Sequence, residues 1–271
     1  MRAIFTILNQ LQRSFAGHAW KQPRRIVVIK PCCLGDVIMT TPLLESIQQA
    51  YPAASLTYLT GTWSKVVPEH HPAVNHVIDI GSIGIPGRYR LPELLQLARQ
   101  LRRQRYDLAF VLDRSPMLTL LPWLAGIPRR VGPDSLGRGF SLTDRVPVSS
   151  SPEHLQHQAD IYLELARAIG IPVQQPHMRF EPTPAEQEEA ASRPYFNDRN
   201  HLHIAMLIGG GSNPGMQLSA KRWPLERYRE LLLHLVYELD ASVLLVGGPD
   251  DSALNEQLYE GLTLPRGRVT N

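Results

Sequence analysis

Hydrophobic positions along this 271-residue chain gather into short unbroken runs separated by longer amphipathic stretches. Ile26 to Ile29 is apolar and β-branched throughout, the pattern of a strand buried on both faces of a parallel sheet. Lys30 and Pro31 end the run, and a short loop, Cys32 to Gly35, leads into a helical pattern with Val37, Leu43, Leu44 and Ile47 on one side. Asp36 thereby stands at the carboxyl end of the first strand, the side on which open α/β sheets bind ligands. Pro42 lies inside the helical pattern, and either kinks it or opens its regular part with Thr41 as N-cap.

The same alternation continues. Ser55 to Thr60 and His76 to Ile80 read as strands, Leu91 to Arg103 as a helix with one apolar and one arginine-rich face, and Leu108 to Asp113 as a buried strand that again ends in an acid. Pro122 and Gly126 bracket a short apolar segment before Arg129, Arg130 and Val131, which read as another short strand. A helix from about Glu153 to Ile169 ends at Gly170, a favoured C-cap residue. From Pro172 to Arg199 the composition is that of a linker. A second series follows: a strand from His203 to Ile208, a glycine-rich loop from Gly209 to Gly215, and a helix from Leu225 to Tyr237. It continues with a strand from Ser242 to Val246, a helix from Asp251 to Tyr259, and the opening of a strand from Arg268 to Thr270.

Repeated strand, loop and helix units predict an α/β fold of two Rossmann-like domains with parallel sheets, the second incomplete. The expected divisions are an N-terminal extension, 1–23, a first domain, 24–180, a linker, 181–200, and a partial second domain, 201–271. Two complete strand units would leave long unpaired sheet edges, so the expectation is a truncated product of a longer natural protein.

Composition adds little to this picture, since a formal charge of +3 is a weak argument for a nucleic-acid partner, and none is expected. The distribution of charge says more: Met1 to Lys30 holds basic residues and no acidic one. Ile4, Leu8, Leu11 and Phe15 recur there at helical spacing, which permits a helix lying on an anionic membrane, against the alternative of a helix packed on the domain or a frayed extension. No stretch is long and apolar enough to span a bilayer. Cys32 and Cys33 are adjacent and form no disulfide framework, which points to a reducing, cytoplasmic setting.

The stretch Ile208 to Pro224 is the second candidate for chemistry. Its glycines allow backbone amides to face an anion, Ser212, Asn213 and Ser219 add donors, and Lys221 is a mobile cation ahead of the next helix. A purely structural turn is the alternative. Gly209-x-Gly211 is followed by Pro214 where the dinucleotide fingerprint needs glycine, and no Gly-Lys-Ser/Thr surrounds Lys221, so an NAD enzyme or a P-loop NTPase is disfavoured. Arg114, Arg129, Arg130 and Arg138 fall at or after strand ends and suit phosphate or carboxylate groups, with a solvated basic face as the alternative. His154, His157 and Asp160 share a helix face, where solvated side chains outweigh a metal site.

The segments IVVIKPCCLGDVIMTTPLLESI and GGGSN…SAKRWPLERY, with LLVGGPDD behind them and DRSP and RRVGP between, together resemble the lipopolysaccharide heptosyltransferases of glycosyltransferase family 9. The resemblance implies the two-domain GT-B fold and transfer of a heptose from ADP-heptose to a lipopolysaccharide core sugar. It implies Asp36 as general base and Lys221, with Ser212 and Asn213, at the donor diphosphate. An acidic lipid-linked oligosaccharide would be the acceptor, met by the first domain and its arginines at the inner face of the inner membrane. No cofactor and no metal are expected, because the chain has no Asp-x-Asp pair. The family's Asp-Ser/Thr-Gly-Pro-x-His segment is not in this sequence, which leaves a non-catalytic glycan-binding remnant as the rival reading and a nucleotide-dependent oxidoreductase behind it.

Overall fold

The structure, a computed structural model, describes residues 22–84, 90–149, 156–173, 177–193, 195, 201–210, 212–213, 216–217, 219–248 and 251–270. The N-terminal segment with the membrane-helix pattern, His154, and part of the glycine-rich loop lie outside the described residues. The chain divides into two compact units, Met1–Glu181 and Pro182–Asn271.

The first unit is built on a six-stranded sheet. Its strands are β1 (Arg25–Ile29), β2 (Ser55–Thr60), β3 (His76–Asp79), β4 (Leu108–Val111), β5 (Arg129–Asp134) and β6 (Asp144–Pro147), in the order β3-β2-β1-β4-β5-β6. Every pairing is parallel, for example Val28 opposite Tyr58 on one side and Phe110 on the other. The predicted double burial of the central strands follows from helices on both faces. Ile26, Val28, Tyr58 and Phe110 pack under α2 (Thr41–Ala50) and α6 (Gln158–Arg167). Val27, Ile29, Leu59 and Val111 pack under α4 (Leu91–Gln104) and α5 (Pro116–Leu124). Each such fully buried side chain contributes roughly 1.5–3 kcal/mol, which is why these three central strands can anchor the unit.

Pro42 opens a helix rather than kinking one. The segment after β1 is two helices, α1 (Leu34–Ile38) and α2, with Pro42 in the first turn of α2 and Thr40, one residue earlier than expected, in the N-cap position. In the first unit three elements depart from the sequence reading: α3 (Val66–Glu69), α5, which runs through Pro122 into the segment that Pro122 and Gly126 bracket, and the edge strand β6. Cys32 and Cys33 are bonded to each other across a cis peptide, a bond between neighbours that joins no two distant parts of the fold and so makes no disulfide framework.

In the second unit β7 (His203–Met206), β10 (Ser242–Leu245) and β11 (Val269–Thr270) form a parallel sheet in the order β11-β10-β7. Its core is made by Met206, Ile208, Val243 and Leu245 with Leu232, Leu235 and Val236 of α8 (Leu225–Tyr237) and Leu258 of α9 (Ser252–Tyr259). Within the stretch of linker composition, Pro184–Ser192 forms a helix, α7, started by a capping box in which Thr183 and Glu186 bond each other's backbone N–H. None of its residues is buried. The glycine-rich loop carries a two-residue antiparallel hairpin, β8 (Ser212–Asn213) with β9 (Met216–Gln217).

Candidate active site

In the first unit the strand order reverses between β1 and β4, because the chain runs outward from β1 to β3 and then outward on the other side from β4 to β6. The carboxyl ends of β1 and β4 therefore flank the crevice where doubly wound sheets take their ligands. Three charged side chains meet there. Lys30, one residue past β1, places Nζ 3.4 Å from Asp36 Oδ2 and 3.4 Å from Asp113 Oδ2. The lysine side chain is 9% exposed, against 44% for Asp36 and 24% for Asp113, so the cation is enclosed while the Asp36 carboxylate faces outward. Asp113 is fixed at its other oxygen, Oδ1, which accepts the Ser115 backbone N–H at 2.8 Å.

The paired threonines that follow Asp36 hold α1 in place. Thr40 Oγ1 donates to the Val37 carbonyl at 2.7 Å and shares a 2.9 Å hydrogen bond with the Tyr58 hydroxyl. Thr41 Oγ1 donates to the Ile38 carbonyl at 2.8 Å and accepts the Arg179 backbone N–H at 3.0 Å. The α1 backbone is thus tied to buried partners on β2 and to the far end of the unit. Two buried tyrosines, Tyr58 and Tyr162, feel the charge of Asp36. Burial pushes both well above the usual tyrosine range, the negative charge of Asp36 adds to the shift in Tyr162, and each is therefore a neutral group that keeps its proton.

The four candidate arginines separate. Arg114 adjoins Asp113, half-buried, and its charge acts on Tyr162, so it belongs to this site. Arg138 is exposed in the β5–β6 loop, with its backbone carbonyl accepting from Thr119 Oγ1 of α5 at 3.2 Å. Arg129 and Arg130 are corrected. They open β5 opposite Leu108 and Ala109, the first residues of β4, and so stand at the amino end of the sheet, away from Asp36. Arg129 pairs with Asp144 at 3.4 Å. Arg130 is fully buried and spends its guanidinium on backbone carbonyls, Nε to Ser141 at 2.8 Å and Nη1 to Ile127 at 2.6 Å. Lys30, Asp113, Tyr58 and Tyr162 are site residues that the sequence reading does not single out.

In the second unit Lys221 is exposed at the end of a short 3-10 turn, Ser219–Lys221, just before α8. Asn213 is half-buried in β8, and the Ser212 backbone lies beside it. Gly210 has a φ of +94°, a conformation that favours glycine, and its carbonyl accepts Arg222 Nε at 2.7 Å. A side chain at Gly209 would collide with the carboxylate of Asp251. Asp251 Oδ2 in turn accepts the Gly248 N–H at 3.0 Å. The glycines at the carboxyl ends of β7 and β10 thus admit a carboxylate of the chain itself. His157 is the N-cap of α6, its Nδ1 accepting the Ala159 N–H at 3.3 Å.

Comparison with known proteins bears on both units. The model of glycosyltransferase family 9 (heptosyltransferase) matches residues 94–267. Lipopolysaccharide heptosyltransferase 2 of Escherichia coli is 30% identical over 240 residues, covering 86% of this chain and 66% of that protein. The solved Escherichia coli ADP-heptose lipopolysaccharide heptosyltransferase II superposes with a TM-score of 0.70 at 26% identity, covering 88% of this chain and 69% of the other. The Escherichia coli heptosyltransferase WaaC, solved with ADP-2-deoxy-2-fluoro heptose, gives a TM-score of 0.65 at 21% identity over 90% of this chain and 75% of the other, a likeness of fold. The chain spans about two thirds of the length of the curated relatives it matches. Two Rossmann-like units with parallel sheets, the second of three strands, make the fold of GT-B type. With a family model matched over more than half its length, the chain belongs to glycosyltransferase family 9, the heptosyltransferases.

Proposed function

We propose that this chain carries the machinery of an inverting transfer of heptose from ADP-heptose to a lipopolysaccharide core acceptor, with Asp36 as general base. The observation that carries the reading is the placement of Asp36: a half-exposed carboxylate at the switch point, held from behind by a buried ammonium. A base so placed accepts a proton on its solvent side while its own orientation is fixed. In the reaction Asp36 takes the proton of the acceptor hydroxyl, the hydroxyl oxygen forms the new bond at the anomeric carbon, and the bond from that carbon to the diphosphate breaks with its electron pair leaving on ADP. Lys221 pairs with the diphosphate as its charge grows, with Asn213 and Ser212 at the same loop. Arg114 and Arg138 are the arginines that this reading retains for an acidic acceptor. The acceptor is lipid-linked in this reading, which includes work at the cytoplasmic face of the inner membrane; among the described residues no helix is long and apolar enough to cross one.

Calorimetry with ADP and ADP-heptose, followed by a transfer assay on Asp36→Asn, tests the proposal. Asn keeps the size and hydrogen-bonding reach of Asp36 and removes its basicity, so turnover falls by ~10² or more while donor affinity persists. Near-normal turnover in the variant removes Asp36 from the role of base. A wild-type chain that binds neither compound favours a non-catalytic glycan-binding role.

A further inference from the structure

The transferase reading gives Asp36 a part and leaves Asp113 without one, although both carboxylates hold the same ammonium. Lys30 sits 3.4 Å from each, with its side chain nine-tenths buried, and Asp113 is pinned through its other oxygen by the Ser115 N–H. The three groups carry one net negative charge. Other groups near Asp36 are the neutral hydroxyls of Tyr58 from β2 and Tyr162 from α6, and the charge of Arg114 acts on Tyr162.

We propose that Asp113 is a positioning residue for the transfer and acts through Lys30. This rests on Asp36 being the base. When Asp36 takes the acceptor proton its charge is gone, and the ammonium that had leaned on two carboxylates keeps one, so the pair Lys30–Asp113 stays compensated. Without the charge on Asp113, the same proton transfer strands a buried ammonium, and an enclosed charge deprived of its partner is costly. Asp113 therefore lowers the barrier at the step in which Asp36 is protonated, and its contribution falls on turnover rather than on binding. A second carboxylate also keeps Lys30 from closing wholly onto Asp36, which leaves that carboxylate free to face the acceptor.

The test is a double-mutant cycle of Asp113→Asn, Lys30→Met and both together, with kcat, KM and melting temperature measured for each. Asp113→Asn lowers kcat about tenfold or more and leaves both KM values within about twofold. The double variant turns over faster than Asp113→Asn, because removing Lys30 removes the stranded charge. A merely structural role for Asp113 gives no such rescue. A double variant no faster than Asp113→Asn, or a loss expressed in KM, overturns the proposal. Should the wild-type chain transfer no sugar, that failure belongs to the transferase reading, and the melting temperatures decide the sharing of the ammonium. The losses of melting temperature on Asp113→Asn and on Lys30→Met must then be non-additive in the double variant, and additive losses overturn the sharing.

Discussion

Replacing Arg130 with Met separates a structural arginine from an acceptor-binding one. The side chain is fully enclosed, and its guanidinium donates to the carbonyls of Ser141 at 2.8 Å and Ile127 at 2.6 Å, with a longer contact to Pro128 at 3.3 Å. Met fills a similar volume and offers no donor, so two well-made bonds are lost and two carbonyls lose a partner. A buried acceptor left unsatisfied costs about 1–3 kcal/mol, giving roughly 2–6 kcal/mol for the pair, and the desolvation no longer imposed by a buried guanidinium brings the expected loss to about 3 kcal/mol. At about 2–4 °C per kcal/mol for a unit of this size, the transition of the first unit drops by roughly 6–12 °C in a thermal melt followed by far-UV circular dichroism. Arg130→Lys keeps the charge, lacks the planar fork that reaches both carbonyls, and melts nearer to the Met variant than to wild type. A melt within about 2 °C of wild type, accompanied by selective loss of acceptor binding, would refute the structural assignment.

Lys221→Ala leaves the melting temperature unchanged, because the side chain is exposed, and weakens the affinity for ADP by about tenfold in calorimetry, the order expected for one charge-assisted contact; equal affinity would leave Lys221 as a surface residue of the turn. His71 makes stability depend on pH: burial holds its imidazole down at about 4, and its Nε2 has no hydrogen-bond partner among the described residues. The unfolded chain takes up a proton below about 6.5 that the folded chain refuses, so the contribution of His71 is complete above about pH 6.5 and declines toward pH 4 by up to about 3 kcal/mol. Urea melts at neutral and mildly acid pH measure this slope, and His71→Gln flattens it; an unchanged slope would assign the acid sensitivity to other groups.

The central strands were legible because double burial leaves an unbroken apolar run, as in Ile26 to Ile29 and Leu108 to Val111, and no other local pattern competes with it. Elements that carry a mixed signal were harder to read. The helix α5 is apolar almost all round and contains Pro122, so neither a helical stripe nor a clean boundary shows in the text. The strand β6 sits at the edge of the sheet with alternating half-buried and exposed residues and a terminal Pro147, features that demote a run from strand to loop when read alone. The helix α7 was legible in principle: Thr183, Pro184 and Glu186 spell a capping box, a local signal that overall linker composition conceals.

The site divides along a different line. Asp36 is readable because strand, loop and carboxylate are contiguous, and its surroundings are set within a few residues by Thr40 and Thr41. Its partnership with Asp113 is not, since Lys30 and Asp113 are 83 residues apart and meet only because β1 and β4 are neighbours in the sheet. The misplacement of Arg129 and Arg130 has the same origin. In the text they follow an apolar segment and precede Val131, which is compatible with either end of a strand, and the end decides the function. At the carboxyl end an arginine faces the ligand crevice; at the amino end it faces the turns that return the chain from the helices. Parallel pairing with β4 puts both at the amino end, where the carbonyls of Ile127, Pro128 and Ser141 converge, and a guanidinium with five donors is the side chain that can satisfy several of them at once. Charge type at a strand boundary is therefore informative about function only once the direction of the strand relative to the boundary is known.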